Sequence, residues 1–357
     1  MTSPIILVTG ATGRTGGAVA ELLLDQGAHV RALVRTHDGR SERLRRRGAD
    51  VVVGDLFDAT SVTEALRGVR RAYLVPPWHP HMLDAAAAFA AAARESDLES
   101  LVWLTQWLAN PVSPSPTTRQ HHLVDQILWM LPEVAKTCLN PGYFADSYLQ
   151  TMSFAAHLGL FPSPTGGSSN APPSNEDEDI ARVAVAALND PARHAGRTYR
   201  PTGPELLDAA QMAAVIGHVL DRPVRHMDLP VWMFLRAAKL SGVSPIELLN
   251  LGPYFTEHRR GTFAIGAPND DVAIVTGTPA EPFAATAARY AAMPSAARTP
   301  TLTARTILRF LRIGLTPTPN AARRARALQL PQLAHPALSI DTPDWQHRHA
   351  RPDPQTA

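Results

Sequence analysis

Ile5-Ile6-Leu7-Val8-Thr9-Gly10-Ala11-Thr12-Gly13-Arg14-Thr15-Gly16-Gly17 opens the chain with a short apolar run, a turn with glycine at every third position, and the first residues of an alanine- and leucine-rich stretch. A brief apolar run bounded by such a turn reads as a buried strand, and the stretch after the turn reads as a helix. The three glycines serve different ends: Gly10 permits the tight bend, Gly13 lets the backbone approach a diphosphate, and Gly16 lets the helix pack closely on the strand. The helix N-terminus then offers N–H groups and a partial positive charge to phosphate oxygens. The segment predicts a dinucleotide-binding turn with contacts from Gly10, Thr12, Gly13, Arg14, Thr15 and Gly16.

Outward from this turn, β-branched runs alternate with helical stretches, which is the signature of βαβ units in a parallel sheet. Strands are predicted over 5–8, 29–34, 51–54, 71–75, 101–105 and 136–139, and helices over 16–25, 41–47, 61–67, 82–96 and 118–130. The expected fold class is α/β: a Rossmann-type doubly wound parallel sheet, with a smaller, mostly helical C-terminal substrate lobe. Residues 1–150 form the dinucleotide domain in this reading, its sheet completed by later segments, and residues 151–295 form the lobe. Pro, Gly, Ser and Asn concentrate between Phe161 and Asn175, which predicts a loop between lobes or over a site. A helix opens at Glu176–Asp179, and others are predicted over 205–220 and 231–239. Residues 296–357 read as a Pro/Arg-rich tail, partly disordered or carrying one extra helix around Thr303–Ile313. There Arg305, Arg309 and Arg312 oppose Ile307, Leu308 and Leu311. Such a helix could lie on a membrane surface, but one short helix gives little membrane affinity, so docking on the body is the expectation.

The second strand decides the flavour of dinucleotide. A carboxylate at its end would suit the ribose hydroxyls of NAD, whereas arginine suits the 2′-phosphate of NADP. Here the strand ends in Val34-Arg35-Thr36, with Arg14 in the turn and no acid before Asp38. The guanidinium fork holds phosphate through paired, charge-assisted bonds, so NADP(H) is the expected cofactor.

Bulk composition narrows the rest. The 357 residues are 45% hydrophobic, enough to fill a large α/β domain and a smaller lobe. Lys and Arg total 34 against 32 Asp and Glu, which leaves no polybasic field for a nucleic-acid partner. The single cysteine, Cys138, excludes an internal disulfide and a cysteine-built zinc site, and is expected to be a buried, inert thiol. No stretch reaches the roughly 20 apolar residues of a membrane span, so a cytoplasmic location is expected. His79 and His81 lack an evident carboxylate or cysteine partner, and no metal is expected.

Taken together, Val8-Thr9-Gly10-Ala11-Thr12-Gly13 with Gly16, Val34-Arg35, Gly54-Asp55-Leu56, His121 with Asp125, Asn140-Pro141-Gly142-Tyr143-Phe144, Asp179-Ile180-Ala181 and Tyr199-Arg200-Pro201-Thr202-Gly203-Pro204-Glu205 resemble the NmrA-like group of atypical short-chain dehydrogenases/reductases. The resemblance covers about residues 4 to 295. It implies that Asp55 and Leu56 lie near the adenine and that Val75, Pro76 and Pro77 lie beneath the middle of the dinucleotide. Tyr143 and Phe144 would then flank the nicotinamide and substrate cleft. Two departures stand out: Asn140 replaces the arginine often found before Pro-Gly, and the tyrosine-lysine pair of ordinary short-chain dehydrogenases has no counterpart. The window where it belongs reads Thr118-Arg119-Gln120-His121-His122.

A proton donor must therefore come from elsewhere. His121 and His122 lead, since histidine donates protons near neutral pH, with Tyr143 and Lys136 behind them. His121 and Asp125 lie one helical turn apart and could equally share a structural hydrogen bond. Thr105 ends a central strand, where it could hold a substrate oxygen or have its hydroxyl satisfied by nearby backbone. Trp78, Trp103 and Trp107, with Tyr143 and Phe144, could line an aromatic-friendly pocket, although Trp103 could instead be core. The reading is an NADPH-dependent reductase of a small conjugated carbonyl, quinone, enone or imine, in the setting of secondary metabolism. Two alternatives stay open: a non-catalytic redox sensor acting through a regulatory protein partner, and a non-redox isomerase or cyclase. A homodimer is also left open.

Overall fold

In the computed structural model, which describes residues 3–167, 171–173 and 176–350, the glycine turn joins β1 (Ile5–Thr9) to α1 (Arg14–Asp25). The alternation continues through β2 (His29–Val34), α2 (Gly39–Arg46), β3 (Asp50–Val53) and α3 (Ala59–Leu66). Next come β4 (Val69–Leu74), α4 (Met82–Arg94), β5 (Ser100–Leu104), α5 (Pro116–Trp129) and β6 (Ala135–Leu139). Every one of these elements overlaps its sequence prediction, with ends displaced by a few residues. Helix starts follow local chemistry: Asp38 caps α2 in a capping box with Ser41, and Ser115 caps α5 with Pro116 in the first turn.

Seven strands run parallel in the order β3-β2-β1-β4-β5-β6-β8, where β8 is Arg197–Tyr199. The chain winds outward from β1 in one direction, then restarts at β4 on the other side. That reversal leaves a crevice at the carboxyl ends of β1 and β4, the switch point where open α/β sheets bind ligands. Period-two alternation splits the core: Val8, Val34 and Leu139 face α1 and α8 (Ala181–Asn189), while Leu7, Leu74 and Trp103 face α3, α4 and α5. The expected α/β fold class is therefore what the chain adopts.

The second half adds α6 (Ala145–Leu149), α7 (Met152–Leu158) and β7 (Leu160–Ser163), then a π-helical turn Glu176–Ile180 leading into α8. After α9 (Pro191–His194) and β8 come α10 (Ala209–Val219), β9 (Arg225–Asp228), α11 (Val231–Leu240) and α12 (Pro245–Arg259). The chain ends in α13 (Asp271–Thr276), α14 (Phe283–Ala291), α15 (Pro300–Leu315), α16 (Ala321–Ala327) and α17 (Pro343–His349). A second core centred on Tyr148, Phe161, Phe255 and Phe263 joins α6, α7, α10, α12 and α14.

Several sequence expectations change here. The loop predicted from Phe161 to Asn175 begins later, because β7 pairs with β9 in a two-stranded parallel sheet. Its residues 168–170 and 174–175 lie outside the described residues. The helix expected from Glu205 begins at Ala209, where Asp208 caps it in a box with Gln211. The tail carries three helices between Pro300 and His349, and Trp345 is fully buried, its indole N–H donating to the Trp107 carbonyl at 3.0 Å. Helix α15 docks through Thr306, Phe310 and Ile313. The apolar residues singled out by pattern, Ile307, Leu308 and Leu311, face outward instead.

Candidate functional site

The glycine turn has the geometry its sequence demands. Gly10 sits at φ +60°, in the left-handed region, and its N-terminal neighbour Thr9 accepts the Val75 N–H on its hydroxyl at 2.9 Å, tying β1 to β4 across the crevice. A Cβ on Gly16 would lie 2.4 Å from the Gly10 carbonyl oxygen and 2.7 Å from that of Thr9. Only glycine lets α1 pack this closely. No side chain caps α1 at Gly13. Thr15 and Gly16 are buried in this first turn, and Thr12 is half-buried. The cradle fits a dinucleotide diphosphate.

The basic residues divide. Arg14 turns toward the lobe, paired with Asp146 at 3.0 Å and donating to the Tyr290 hydroxyl at 2.9 Å, so it clasps the turn to α6 and α14. Arg35 stands exposed at the end of β2. Arg40, which sequence reasoning missed, reaches back from α2 to donate to the Thr12 carbonyl at 3.0 Å. The nearby acid is already engaged: Asp38 accepts from the Arg40 and Ser41 backbone amides and pairs with the Arg40 guanidinium at 2.7 Å. These bonds hold its carboxyl below the usual range, the Arg40 side chain first among them. Asp55 accepts the Phe57 amide on its carboxylate at 3.0 Å and donates its own N–H to the Ser61 hydroxyl at 2.9 Å, while Leu56 packs on the α3–α4 side of the core.

Beyond the turn, a cavity of about 160 Å³ opens at the carboxyl ends of β4, β5 and β6. Val75 lines it, and the same side chain lies within 3.6 Å of where a Gly10 Cβ would stand, so turn and cavity share a wall. Pro76, Thr105, His121, Tyr143 and Phe144, each singled out in the sequence, also line it. Gln106, Ser147, Asn250 and Tyr254 also line it, and these were not anticipated. Asn250 comes from α12, held by the Ser115 hydroxyl at the start of α5. Only a contact across more than a hundred residues places it, and no local signal marks it.

Within the wall, Thr105 donates its hydroxyl to Asp125 Oδ2 at 2.9 Å, and the Trp103 indole N–H donates to Asp125 Oδ1 at 2.9 Å. Both acceptors belong to one buried carboxyl. Burial raises it to about 7, against the opposing pull of the Trp103 and Thr105 bonds and of Arg348. The alternative of a structural hydrogen bond between His121 and Asp125 is not realised, because the carboxyl is committed to the strand. His121 is buried with neither ring nitrogen hydrogen-bonded, and desolvation lowers it to about 4, so it is neutral at pH 7. Burial pushes the Tyr143 phenol well above its ordinary value.

Two catalytic candidates lie elsewhere. Lys136 sits at the amino end of β6, the wrong end of the sheet, donating to the Trp129 carbonyl at 3.2 Å and to that of Leu131, where it closes the C-terminus of α5. His122 points a hundred degrees round α5 from His121 and away from the cavity, with burial and Arg348 both lowering its basicity. Trp103 is core, and Trp107 is fully buried with its N–H on the Thr262 carbonyl at 3.3 Å, so of the three tryptophans Trp78 alone lines the cavity. His81 does have a carboxylate neighbour, Asp84 at 3.0 Å. Among the described residues no three His, Cys, Asp or Glu side chains converge on a metal position, and no helix is long and apolar enough to cross a membrane. Asn140, the departure before Pro141-Gly142, donates to the Gln106 carbonyl at 2.5 Å and meets His349 of α17 at 3.3 Å, so the tail buttresses that turn.

Comparison with known proteins accords with this geometry. A model of the NmrA-like family matches residues 2–248. An NAD(P)H azoreductase of Xenophilus azovorans is 30% identical over 299 residues, 82% of this chain and 100% of its own. A (4-alkanoyl-5-oxo-2,5-dihydrofuran-3-yl)methyl phosphate reductase of Streptomyces griseus subsp. griseus is 34% identical over 293 residues, 80% and 98% of the two chains. The fold is similar to that of a Citrobacter sp. triphenylmethane reductase crystallised with NADP(H), at TM-score 0.70 and 19% identity, covering 80% of this chain and 99% of that one.

Proposed function

The chain belongs to the NmrA-like family, and from that premise we propose that it is an NADPH-dependent reductase of a small conjugated substrate, a carbonyl, quinone, enone or imine. The observation that carries the reading is the shared wall at Val75, which sets the glycine cradle directly beside a cavity holding a titratable Thr105–Asp125 pair. Relatives named as reductases, one of them an NAD(P)H azoreductase, support it. The turn at Gly10–Gly16 holds the diphosphate. Arg35 and Arg40 hold the 2′-phosphate, Arg40 through the N–H groups not already given to Asp38 and the Thr12 carbonyl. Pro76, Tyr143 and Phe144 orient the nicotinamide, and the bound cofactor supplies the electron pair.

The chain's own contribution is a proton. Thr105 donates its hydroxyl hydrogen to the substrate heteroatom and takes one from Asp125 behind it. Magnitudes decide this choice: a carboxyl near 7 matches neutral pH, whereas the Tyr143 phenol is held far too basic to release a proton and His121 is too acidic to carry one. Neutral His121 and Trp78, whose rings meet edge-on, wall the substrate from water. The missing tyrosine-lysine pair is replaced, in this reading, by a threonine and the aspartic acid that supports it.

NADPH oxidation, followed at its absorbance band against a panel of quinones, enones and imines, tests the proposal. Turnover with one class, lost in Thr105→Val, is the expected result. Tight NADPH binding with no turnover across the panel would favour a redox sensor instead.

A further inference from the structure

Thr105's cavity has a neighbour across Tyr143. A second cavity of about 360 Å³ shares Trp78, Tyr143, Ser147 and Leu251 with it and runs on between α7, α11 and α15. At about 160 Å³ the first cavity falls below the ~300–1,000 Å³ of ordinary small-molecule pockets, whereas the second lies within that range. A conjugated ring fills the first. Something else fills the second.

Its walls say what. Phe154, Met233, Phe234, Phe310 and Ile313 make it apolar. Of the charged side chains at its edge, Arg309 donates to the Ser241 hydroxyl at 2.7 Å, and Glu247 accepts the Ser244 amide at 2.9 Å in the capping box of α12. The roof is α15, pinned to α11 by Arg236, which donates to the Gly314 carbonyl at 3.1 Å and to the Thr318 hydroxyl at 2.7 Å. On its other side α15 meets α7, where the Phe310 and Phe154 rings lie edge-on with centroids 6.1 Å apart. Helix α15 also lies beyond residue 248, where the family's match ends.

We propose that the substrate is a two-part molecule, with its conjugated head beside Thr105 and an unbranched hydrocarbon chain lying in the cavity roofed by α15. The inference deepens the reductase reading and rests on it for the identity of the head. A charged or sugar-bearing substituent is disfavoured, since burying it here without a free partner carries a desolvation penalty.

The test uses the full chain with NADPH and a series of 2-alkyl-1,4-benzoquinones from methyl to octyl, each reduced to its hydroquinone by one NADPH and one proton. The corresponding hydroquinones are titrated by calorimetry as a readout independent of turnover. Both kcat/KM and hydroquinone affinity should rise about fourfold per added methylene until the cavity is full. In Ala237→Trp, which fills the second cavity, the gain across the whole series should fall below twofold while NADPH affinity shows the chain still folded. Affinity that climbs with chain length but without turnover would sink the reductase reading and leave the chain pocket standing. A flat series in both readouts, or an unchanged slope in Ala237→Trp, overturns the chain pocket.

Discussion

The two halves of the crevice are built in opposite ways. The cradle at residues 5–17 is made by consecutive residues and largely by backbone, with glycine demanded wherever a carbonyl lies too near. The cavity beyond it is made by side chains from β4, β5, α5, the Asn140–Phe144 turn and α12, brought together by contacts such as that of Ser115 with Asn250. A backbone site tolerates almost any side chain except one it has no room for. A side-chain site is the reverse: its shape survives many substitutions, and its chemistry changes with each.

Gly16→Val is the severest test of that contrast. Its Cβ would stand 2.4 Å from the Gly10 carbonyl and 2.7 Å from the Thr9 carbonyl, both backbone and unable to rotate away. Either β1 and α1 separate or the variant fails to fold, and NADPH binding by calorimetry should be abolished. Gly17→Ala is the matched control, because its Cβ would meet only the Ala11 carbonyl at 3.3 Å, and it should keep most of the affinity. Native affinity in Gly16→Val would mean that close approach does not build the cradle.

Asp125→Asn probes the other half with a smaller effect, about a hundredfold in kcat, the lower end of what a positioned proton donor supplies. The wild type should lose turnover as pH rises through about 7, where the carboxyl ionises, and the variant should lose that alkaline limb. Stability follows the same sign. A carboxyl raised by burial binds its proton more tightly folded than unfolded, so its contribution is complete below about pH 4 and is lost as pH rises through about 7. His121 works in the opposite direction: lowered to about 4, it contributes above about 6.5 and that contribution is lost as pH falls through 4. An alkaline limb that persists in Asp125→Asn would remove Asp125 from the proton path.

The same contrast explains what could be read in the sequence. The sheet, its flanking helices and the glycine turn rest on period, cap and turn chemistry, all local, and they lie where the pattern puts them. Thr105 and His121 were legible as residues at the end of a strand and on the following helix. That Asp125 would bond Thr105 rather than His121 was not legible, since it depends on the strand side chains Trp103 and Thr105 turning toward α5. Lys136 could be set aside from the sequence alone, since it starts the strand predicted over 136–139 and a parallel sheet binds ligands at the carboxyl ends. Gln106, Asn250 and the roof over the second cavity come from tertiary packing alone, and α15 shows the limit: its most apolar pattern face is the one left toward solvent.

Arg35→Ala sharpens the comparison at the smallest scale, because it alters a side chain at the edge of a backbone-built site. The guanidinium is exposed and sits at the end of β2, so its loss should leave the diphosphate cradle intact. A charge-assisted bond to phosphate is worth ~1.5–3 kcal/mol, and solvent exposure puts this one at the lower end, about tenfold in NADPH affinity. NADH, which lacks the 2′-phosphate, should lose less than about twofold. Arg40 complicates the loss in an informative way: already bonded to the Thr12 carbonyl, it remains to hold the phosphate in Arg35→Ala, so only the double variant should bind the two dinucleotides equally. Equal losses of NADPH and NADH in the single variant would show that Arg35 acts on the cradle itself and that the 2′-phosphate is held elsewhere.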